Sequence, residues 1–241
     1  MLMIQFFYIL YQYLIALPIF LMLTVFTALV TIASIPWRNA EWLHKVQQFW
    51  ARSFCWLLFL PIKVEGLENI RPKTSYVFVS NHQSMVDVFL IYGWLPVIFK
   101  WIMKKELRKV PLVGAACKAA GHIYIDRRNK MASQKSIAEA EHIVKDGVCV
   151  VIFPEGTRTS TGEVGRFKRG AFSIATDLHL PVVPISLSGC YDVMPRTRFY
   201  AKRRPVKMTI GKPIDTSAYP EEERNALIED VRQIVINSIE K

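Results

Sequence analysis

Apolar residues dominate the start of the chain. Residues 1–35 are almost wholly apolar, and residues 1–37 contain no Lys, Arg, Asp or Glu. This run exceeds the roughly 20 residues that a helix needs to cross about 30 Å of hydrocarbon. It lacks the basic start, the shorter apolar stretch and the small-residue cleavage site of a signal peptide. Because Pro18 lies halfway along, the run predicts either one long tilted membrane helix or two shorter helices that bend and re-enter.

Residues 39–60 show a helical period instead, with large apolar residues recurring every three or four positions. One side of the predicted helix carries Trp42, Leu43, Val46, Phe49, Trp50, Ser53 and Trp56, and the other carries Glu41, Lys45, Gln48 and Arg52. Three tryptophans beside a membrane segment favour an amphipathic helix that lies in the membrane interface. The alternative is an ordinary helix packed on the core of the domain.

Beyond Leu60, short apolar runs alternate with amphipathic stretches, as they do in α/β proteins. The predicted strands are Ile62–Glu65, Tyr76–Ser80, Val97–Trp101, His122–Asp126, Val148–Phe153, Val182–Leu187 and Val206–Ile210. The predicted helices are Ser84–Trp94, Leu112–Ala120, Ala132–Lys145, Gly170–Leu178 and Glu221–Ile239. We therefore expect an α/β fold, a mixed sheet flanked by helices, with residues 1–60 as a membrane anchor and residues 61–241 as one domain.

The charge lies in this second part. The chain carries a formal net charge of +11 at pH 7, and because residues 221–241 carry a net −3, residues 38–220 carry +14. Such a domain attracts anionic lipid, phosphate or nucleic acid. The membrane segment and the lack of an RNA- or DNA-binding motif argue against nucleic acid. Arg38 and Lys45 follow the apolar run directly, which predicts a membrane-bound protein with its domain on the cytoplasmic side.

Cysteine spacing indicates neither a metal site nor a disulfide framework. Cys55, Cys117, Cys149 and Cys190 are far apart, with no C-x-x-C pair and no histidine that completes a zinc pattern. We expect reduced thiols in the core of a domain that faces the cytosol.

A histidine and an aspartate lie where a strand-like run meets a helix-like run. His82 and Asp87 are five residues apart, so a regular helix would point them some 140° away from each other. They can meet only if His82 precedes the helix. Asp87 would then bond one ring nitrogen and leave the other as a general base. The alternative is a helix start, capped by Asn81, beside a surface histidine.

Two more strands end in charged residues. Phe153-Pro154-Glu155-Gly156-Thr157-Arg158 follows an apolar strand, so Glu155 and Arg158 emerge at its carboxyl end, where open α/β sheets bind ligands. Gly156 lets backbone amides approach a ligand, and Arg158 offers a planar fork for phosphate. Arg127 ends another strand and is a second phosphate candidate, although the charged groups at both ends also fit a plain turn or a structural ion pair.

Other chemistries lack their residues. Ser186-Leu187-Ser188-Gly189 has no leading glycine for a nucleophile elbow, and a phosphate-binding G-x-x-x-x-G-K-[ST] motif is absent. Without an evident covalent nucleophile, the residues favour direct attack by a substrate hydroxyl that a base activates.

Together these motifs resemble the glycerolipid acyltransferase family, specifically the 1-acylglycerol-3-phosphate (lysophosphatidic acid) acyltransferases. Asn81-His82-Gln83-Ser84 with Asp87 fits the family's N-H-x-S-x-x-D motif. The second block is similar at Lys104 to Leu107 and Gly121 to Arg127, the third at Phe153 to Arg158, and the fourth at Val183 to Ile185. The order and spacing agree from about residue 60 to residue 215.

The resemblance implies a role for each of these positions. His82 would be the general base and Asp87 its orienting partner. The acceptor-binding residues would be Lys105, Arg127, Glu155, Gly156, Thr157 and Arg158. A backbone amide near Gly156 or at the start of the Ser84 helix would stabilise the oxyanion.

The implied reaction transfers a fatty acyl group to the sn-2 hydroxyl of lysophosphatidic acid and yields phosphatidic acid. The donor would be acyl-CoA or acyl-carrier protein, and no cofactor or metal is expected. The expected partners are membrane lipids, lysophosphatidic acid and the thioester donor. Two alternatives stay open from the sequence: transfer to another lysophospholipid or acyl-amino-acid lipid, and a non-catalytic lipid-binding protein.

Overall fold

The computed structural model describes residues 2–37, 39–125 and 142–240. Asp126 and Arg127 lie outside the described residues, as does most of the predicted helix Ala132–Lys145.

A seven-stranded mixed sheet forms the centre of the fold, in the order β1-β7-β6-β2-β5-β3-β4. The strands are β1 (Ile62–Glu65), β2 (Val77–Ser80), β3 (Phe99–Lys104), β4 (Ile123–Ile125), β5 (Cys149–Ile152), β6 (Val182–Ser188) and β7 (Val206–Ile210). Strands β2 to β6 run parallel to one another. Strand β7 is antiparallel to β6, and β1 is parallel to β7. The predicted α/β fold with a mixed sheet is confirmed.

Helices cover both faces of the sheet. They are α1 (Leu2–Tyr11), α2 (Leu17–Ala33), α3 (Ala40–Leu57), α4 (Val86–Trp94), α5 (Val113–Ala119), α6 (Arg169–Asp177), α7 (Cys190–Val193) and α8 (Arg224–Asn237), with 3-10 turns at Ile35–Trp37, Leu67–Asn69, Lys105–Lys109, Thr216–Ala218 and Glu221–Glu223. One buried cluster lies between the sheet and α3 with α4. A second lies between the sheet and α6 with α8. The central strands β2 and β5 are therefore buried along their whole length, which explains their continuous apolar sequence.

The third strand of the chain differs from its prediction. It was expected at Val97–Trp101, and it lies at Phe99–Lys104. Pairing of Ile102 to Lys104 with Ile123 to Ile125 of β4 extends the ladder. The sequence did not reveal that the strand continues to Lys104, because this continuation depends on pairing with β4, which is distant in the sequence. Within the strand, the Lys100 ammonium group donates to the Ala120 carbonyl at 2.6 Å.

The apolar N-terminal run forms one helical segment rather than two that re-enter. Helices α1 and α2 are joined through a π-helical turn at Gln12–Ala16. This turn lies directly before Pro18, whose missing N–H breaks the regular ladder. Met3–Ala33 is long and apolar enough to cross a membrane by length and composition. Many of its large side chains are exposed, among them Met3, Ile4, Phe6, Phe7, Leu10, Leu14, Leu21, Met22, Phe26 and Leu29.

The apolar segment is also hydrogen-bonded to α3 and to the residues directly after it. The hydroxyls of Tyr8 and Tyr11 donate to the carbonyls of Leu58 and Leu57 at 2.6 and 3.0 Å. Further along the segment, Trp50 of α3 donates its indole N–H to the Thr24 hydroxyl at 2.9 Å. One side of the segment therefore packs on the protein and the other side is apolar and exposed.

The predicted polar side of helix α3 does not lie wholly in water. Gln48 and Arg52, predicted to face water, donate to the Leu95 and Gly93 carbonyls at the end of α4. Trp42, Phe49 and Trp56 are exposed. These orientations arise because the polar groups are needed to bind carbonyls that the end of α4 leaves unpaired. The position of α3 in a membrane interface and the domain boundary at residue 60 stay predictions.

Two histidines are buried between α3, α4 and the sheet. Trp101 donates its backbone N–H to His122 Nδ1 at 3.2 Å, which keeps that nitrogen unprotonated. Burial, together with the charge of Lys100, lowers the pKa of His122 to about 3 and that of His44 to about 4. Both rings are therefore neutral near pH 7.

We expect acid to destabilise the protein through these rings. At pH values below about 6.5, the ordinary pKa of histidine, these two histidines are protonated in the unfolded chain but stay neutral in the folded protein. The free energy of unfolding therefore falls as the pH is lowered towards 4. Between pH 6.5 and pH 5 the loss is about 2 kcal/mol for each histidine. Thermal unfolding in detergent at pH 7 and pH 5 measures it. His122→Gln should reduce the difference, whereas His142→Ala, at an exposed position, should leave it unchanged. Equal pH dependence in all three proteins would contradict this account.

Candidate active site

The turn between β2 and α4 brings His82 and Asp87 together. His82 lies before the helix and Asp87 lies in its first turn, as the five-residue spacing required. His82 Nδ1 is 2.9 Å from Asp87 Oδ2. A carboxylate only accepts, so Nδ1 carries the proton and Nε2 keeps its lone pair. The predicted contact is confirmed, and the geometry is that of an oriented base.

The same carboxylate oxygen fixes the backbone of the turn. Asp87 Oδ2 also accepts the backbone N–H groups of Gln83 and Ser84 at 2.6 and 2.7 Å. Asp87 is fully buried, and its Oδ1 atom has no hydrogen-bond partner among the described residues. Burial and then the charge of Asp87 raise the pKa of the neighbouring Cys190 thiol. Asp87 therefore fixes the turn before α4 while it holds the histidine.

The prediction that Asn81 caps this helix is wrong. Its amide group pairs with the backbone of Leu187 in β6, donating to the carbonyl and accepting the N–H, both at 2.9 Å. Ser84 accepts the Val86 N–H and donates to the Met194 carbonyl. Asn81 and Ser84 therefore bind the turn to neighbouring elements.

The Phe153 ring supports the histidine from one side. The rings of His82 and Phe153 are stacked, with centroids 3.9 Å apart and planes 11° apart. The Trp101 ring in turn stacks on the Phe153 ring, with centroids 5.4 Å apart. Stacking and the Asp87 bond together leave the imidazole little freedom to rotate.

Glu155 connects the His82 turn to the loop after β5. Its Oε1 accepts the His82 N–H at 2.7 Å, and its Oε2 accepts the Gly165 N–H at 2.9 Å. Burial raises the pKa of the carboxyl, and these two donors act in the opposite direction. A Cβ atom at position 165 would come within 2.8 Å of Glu155 Oε2, so a larger residue there would displace the Glu155 carboxylate. The loop is also tied back by Thr159, whose N–H donates to the His82 carbonyl.

His82 lies on the wall of a cavity of about 560 Å³. That volume is within the range of about 300 to 1,000 Å³ that is usual for small-molecule sites. Part of the wall comes from α2 and α3 of the N-terminal region: Thr24, Thr27, Ala28, Thr31, Gln47 and Trp50. Apolar and small residues of α5 form the facing wall: Val113, Ala116, Cys117 and Ala120. Cys117, expected in the core, therefore borders the cavity.

Positively charged side chains line the same cavity. Arg158, Arg196 and Lys104 line it, together with Gly156 and Thr157. Lys105 begins the 3-10 turn after β3 and is exposed. Arg127 is outside the described residues. The structure therefore places His82, Gly156, Thr157 and Arg158 at one cavity, with Asp87 and Glu155 buried behind the histidine.

Gly156 has a conformational reason to be glycine. Its φ is 77°, in the left-handed region, and its N–H donates to the Phe153 carbonyl at 3.0 Å. An oxyanion donor was expected near Gly156 or at the start of the Ser84 helix, and in these two regions the N–H groups of Gly156 and Ser84 themselves already have acceptors within the fold.

Arg196 and the α2 wall were missed in the sequence. Arg196 arrives from a loop after α7 that carries no recognisable motif, so only the spatial arrangement reveals it. The apolar composition of residues 1–35 indicated a lipid-facing helix, and its second, cavity-lining side was overlooked. Thr24, Thr27 and Thr31, spaced by three and four residues, were the one available signal.

The His82–Asp87 hydrogen bond at the end of β2 and the cavity that Arg158 and Arg196 line lie within an α/β fold that can be compared with known proteins. The acyltransferase family model matches residues 61–188. The chain belongs to this acyltransferase family.

Individual relatives carry more specific names. The chain is 35% identical over 189 residues to the 1-acyl-sn-glycerol-3-phosphate acyltransferase of Cocos nucifera, with 78% of this chain and 61% of that protein aligned. It is 31% identical to 1-acyl-sn-glycerol-3-phosphate acyltransferase alpha of Ovis aries, with 86% and 72% aligned. The chain thus spans less than two thirds of the length of the coconut relative.

A solved structure shares the whole architecture. The crystal structure of the 1-acyl-sn-glycerophosphate (LPA) acyltransferase PlsC from Thermotoga maritima superimposes with a TM-score of 0.72 at 27% identity. The match covers 92% of this chain and 95% of that chain. The shared fold therefore includes most of the described elements.

Proposed function

We propose that this protein transfers a fatty acyl group from an acyl thioester to the sn-2 hydroxyl of lysophosphatidic acid, which yields phosphatidic acid. The observation that carries the proposal is the His82–Asp87 hydrogen bond on the wall of a cavity that also holds Arg158 and Arg196. The names of the relatives supply the acceptor, and the cavity chemistry agrees with it.

In the proposed mechanism, His82 Nε2 takes the proton of the acceptor hydroxyl as that oxygen attacks the thioester carbonyl. Asp87 holds the ring in the required tautomer and stabilises the imidazolium that forms. The tetrahedral intermediate collapses, the thiolate leaves, and His82 returns the proton to it. Glu155 is a positioning residue in this scheme, because both of its oxygens bind backbone N–H groups.

The lining of the cavity supports separate binding places for the phosphate and for an acyl chain. Arg158 and Arg196 bind the phosphate, for which a guanidinium fork is suited. The apolar walls of α2 and α5 hold an acyl chain. The protein is attached to the membrane through Met3–Ala33, whose exposed apolar side faces lipid while its other side packs on α3 and the turn after it. Arg38 and Lys45, directly after this segment, favour a domain on the cytoplasmic side.

An acceptor panel with the purified full chain in detergent tests the proposal. Acyl-CoA and acyl-carrier protein serve as donors, and lysophosphatidic acid, lysophosphatidylcholine and a monoacylglycerol serve as acceptors. We expect lysophosphatidic acid to have the highest kcat/KM. Arg158→Ala should lower that value by about 10- to 100-fold and affect the uncharged monoacylglycerol little, because only the first acceptor loses a charge-assisted hydrogen bond.

Arg166→Ala is the matched control, since Arg166 is exposed on the same loop and does not line the cavity as described. The acceptor assignment fails if lysophosphatidic acid ranks below the other acceptors, or if both arginine variants reduce transfer to all acceptors equally.

A further inference from the structure

A loop beside the N-terminal helix combines basic residues with an exposed aromatic ring. Residues 196–204, the Phe199 loop, have the sequence Arg-Thr-Arg-Phe-Tyr-Ala-Lys-Arg-Arg and contain no acidic residue. Phe199 is 87% exposed, more than any other large apolar side chain that the structure describes. Neither the core nor the cavity accounts for a phenylalanine at this position.

The loop is fixed to the apolar N-terminal segment. The buried amide of Gln12 both donates to the Ala201 carbonyl at 2.9 Å and accepts the Ala201 N–H at 2.7 Å. At the next position, the Tyr13 hydroxyl donates to the Phe199 carbonyl at 3.2 Å. Gln12 is one of the few polar residues of this apolar helix, and its two bonds hold the loop at the apolar N-terminal segment.

Phe59 extends the same surface. It lies in the turn after α3 with a φ of 49°, where an L residue is strained and glycine would not be. Its ring is nevertheless 55% exposed and lies 5.5 Å from the Tyr11 ring. Arg203 of the loop donates to the Phe59 carbonyl at 3.0 Å. Two aromatic rings are therefore presented outward from one rigid unit.

We propose that the Phe199 loop and Phe59 form a second membrane contact that selects bilayers containing anionic lipids. The two rings enter the boundary between headgroups and acyl chains, where aromatic side chains are favoured, and Lys202, Arg203 and Arg204 bind lipid phosphates. The surface is continuous with the exposed side of the N-terminal segment, and its charge is complementary to an anionic bilayer. The proposal rests on the membrane attachment proposed above.

The contact has a consequence for substrate access. Arg196 belongs to the same loop and lines the catalytic cavity. A loop at headgroup depth therefore places the cavity arginine near the phosphates of the bilayer, where an anionic acceptor lipid resides. Its basic residues raise the local concentration of that acceptor.

Hydrogen exchange in lipid nanodiscs measures the contact. The full chain is reconstituted in phosphatidylcholine alone and in a phosphatidylcholine–phosphatidylglycerol mixture. We expect residues 196–204 to exchange about 10-fold more slowly in the anionic discs, and the difference to shrink at high salt. Phe199→Ser should restore fast exchange in the loop.

Charge variants provide the matched comparison. Lys202→Glu/Arg204→Glu should abolish the difference between the two lipids. Lys145→Glu/Lys212→Glu makes the same charge change at exposed positions at the opposite end of the strands, before β5 and after β7, and it should keep the difference. Acyl transfer in detergent micelles should stay within about twofold of wild type for all variants, since none of these residues lines the catalytic cavity.

Three outcomes would overturn the proposal. If the loop exchanges equally fast in both lipids while residues 3–33 are protected, the second contact does not exist and the membrane attachment through residues 3–33 still stands. Fast exchange of both the loop and residues 3–33 removes the attachment as well. If Lys202→Glu/Arg204→Glu leaves exchange unchanged and slows transfer from acyl-carrier protein alone, the loop docks an acidic protein instead of a bilayer.

Discussion

His82→Ala is expected to lower kcat for acyl transfer by about 10²- to 10⁴-fold, the usual contribution of a positioned general base. The expectation follows from geometry: Asp87 occupies Nδ1 at 2.9 Å, so Nε2 is the free basic atom on the cavity wall. Substrate binding should change much less, because Arg158 and the apolar walls are untouched. Initial rates with lysophosphatidic acid over a range of concentrations separate kcat from KM.

Two further variants make this result specific. His82→Gln keeps most of the volume stacked on Phe153 and should be as inactive as His82→Ala, which excludes loss of packing as the cause. His142→Ala removes an exposed histidine and should be fully active. If His82→Ala retained more than about a tenth of the wild-type kcat while the fold was intact, general-base catalysis by this residue would be refuted.

Asp87→Asn is expected to reduce kcat by at least about 10²-fold. An amide in place of the carboxylate can present an N–H to the ring, which favours the wrong tautomer and no longer stabilises the imidazolium. The buried N–H groups of Gln83 and Ser84 also lose a charged acceptor, so the free energy of unfolding should fall by about 1 to 3 kcal/mol. Thermal unfolding and transfer rates, measured on the same preparation, report the two effects separately.

A double-mutant cycle tests whether Asp87 acts through His82. If it does, His82→Ala/Asp87→Asn should be no slower than His82→Ala alone, because the aspartate then has no ring to orient. Additive losses would show that Asp87 contributes to catalysis by another route. The matched stability control is Asn81→Ala, which breaks the bonds to Leu187 and leaves the dyad in place.

The sequence predicted most of the sheet because buried parallel strands are recognisable as short apolar runs. All seven strands occur near their predicted positions. The exception in detail, β3, continues to Lys104, beyond the predicted end at Trp101, and the charge of Lys104 gave no sign of this continuation. Helix α4 begins at Val86 rather than Ser84, and Asp87 accepts the N–H groups of Gln83 and Ser84 in the turn before it.

The candidate site was predictable where it depends on local spacing. The five residues between His82 and Asp87 sufficed to require a bend before the helix. Long-range contacts were not predictable in the same way. The orientation of Arg52 toward Gly93, the bonds of Glu155 to two separate loops and the arrival of Arg196 at the cavity all depend on packing between distant segments.

Because α2 and α3 supply part of the cavity wall, the cavity cannot be separated from the N-terminal region. The region matched by the acyltransferase family begins at residue 61, and it contains His82, Asp87 and Arg158. Six cavity-lining residues lie before that point. A fragment cut at residue 61 would keep the reacting groups and open its apolar chamber to water. Substitutions confined to the first 60 residues can therefore change the shape of the cavity while His82, Asp87 and Arg158 stay unaltered.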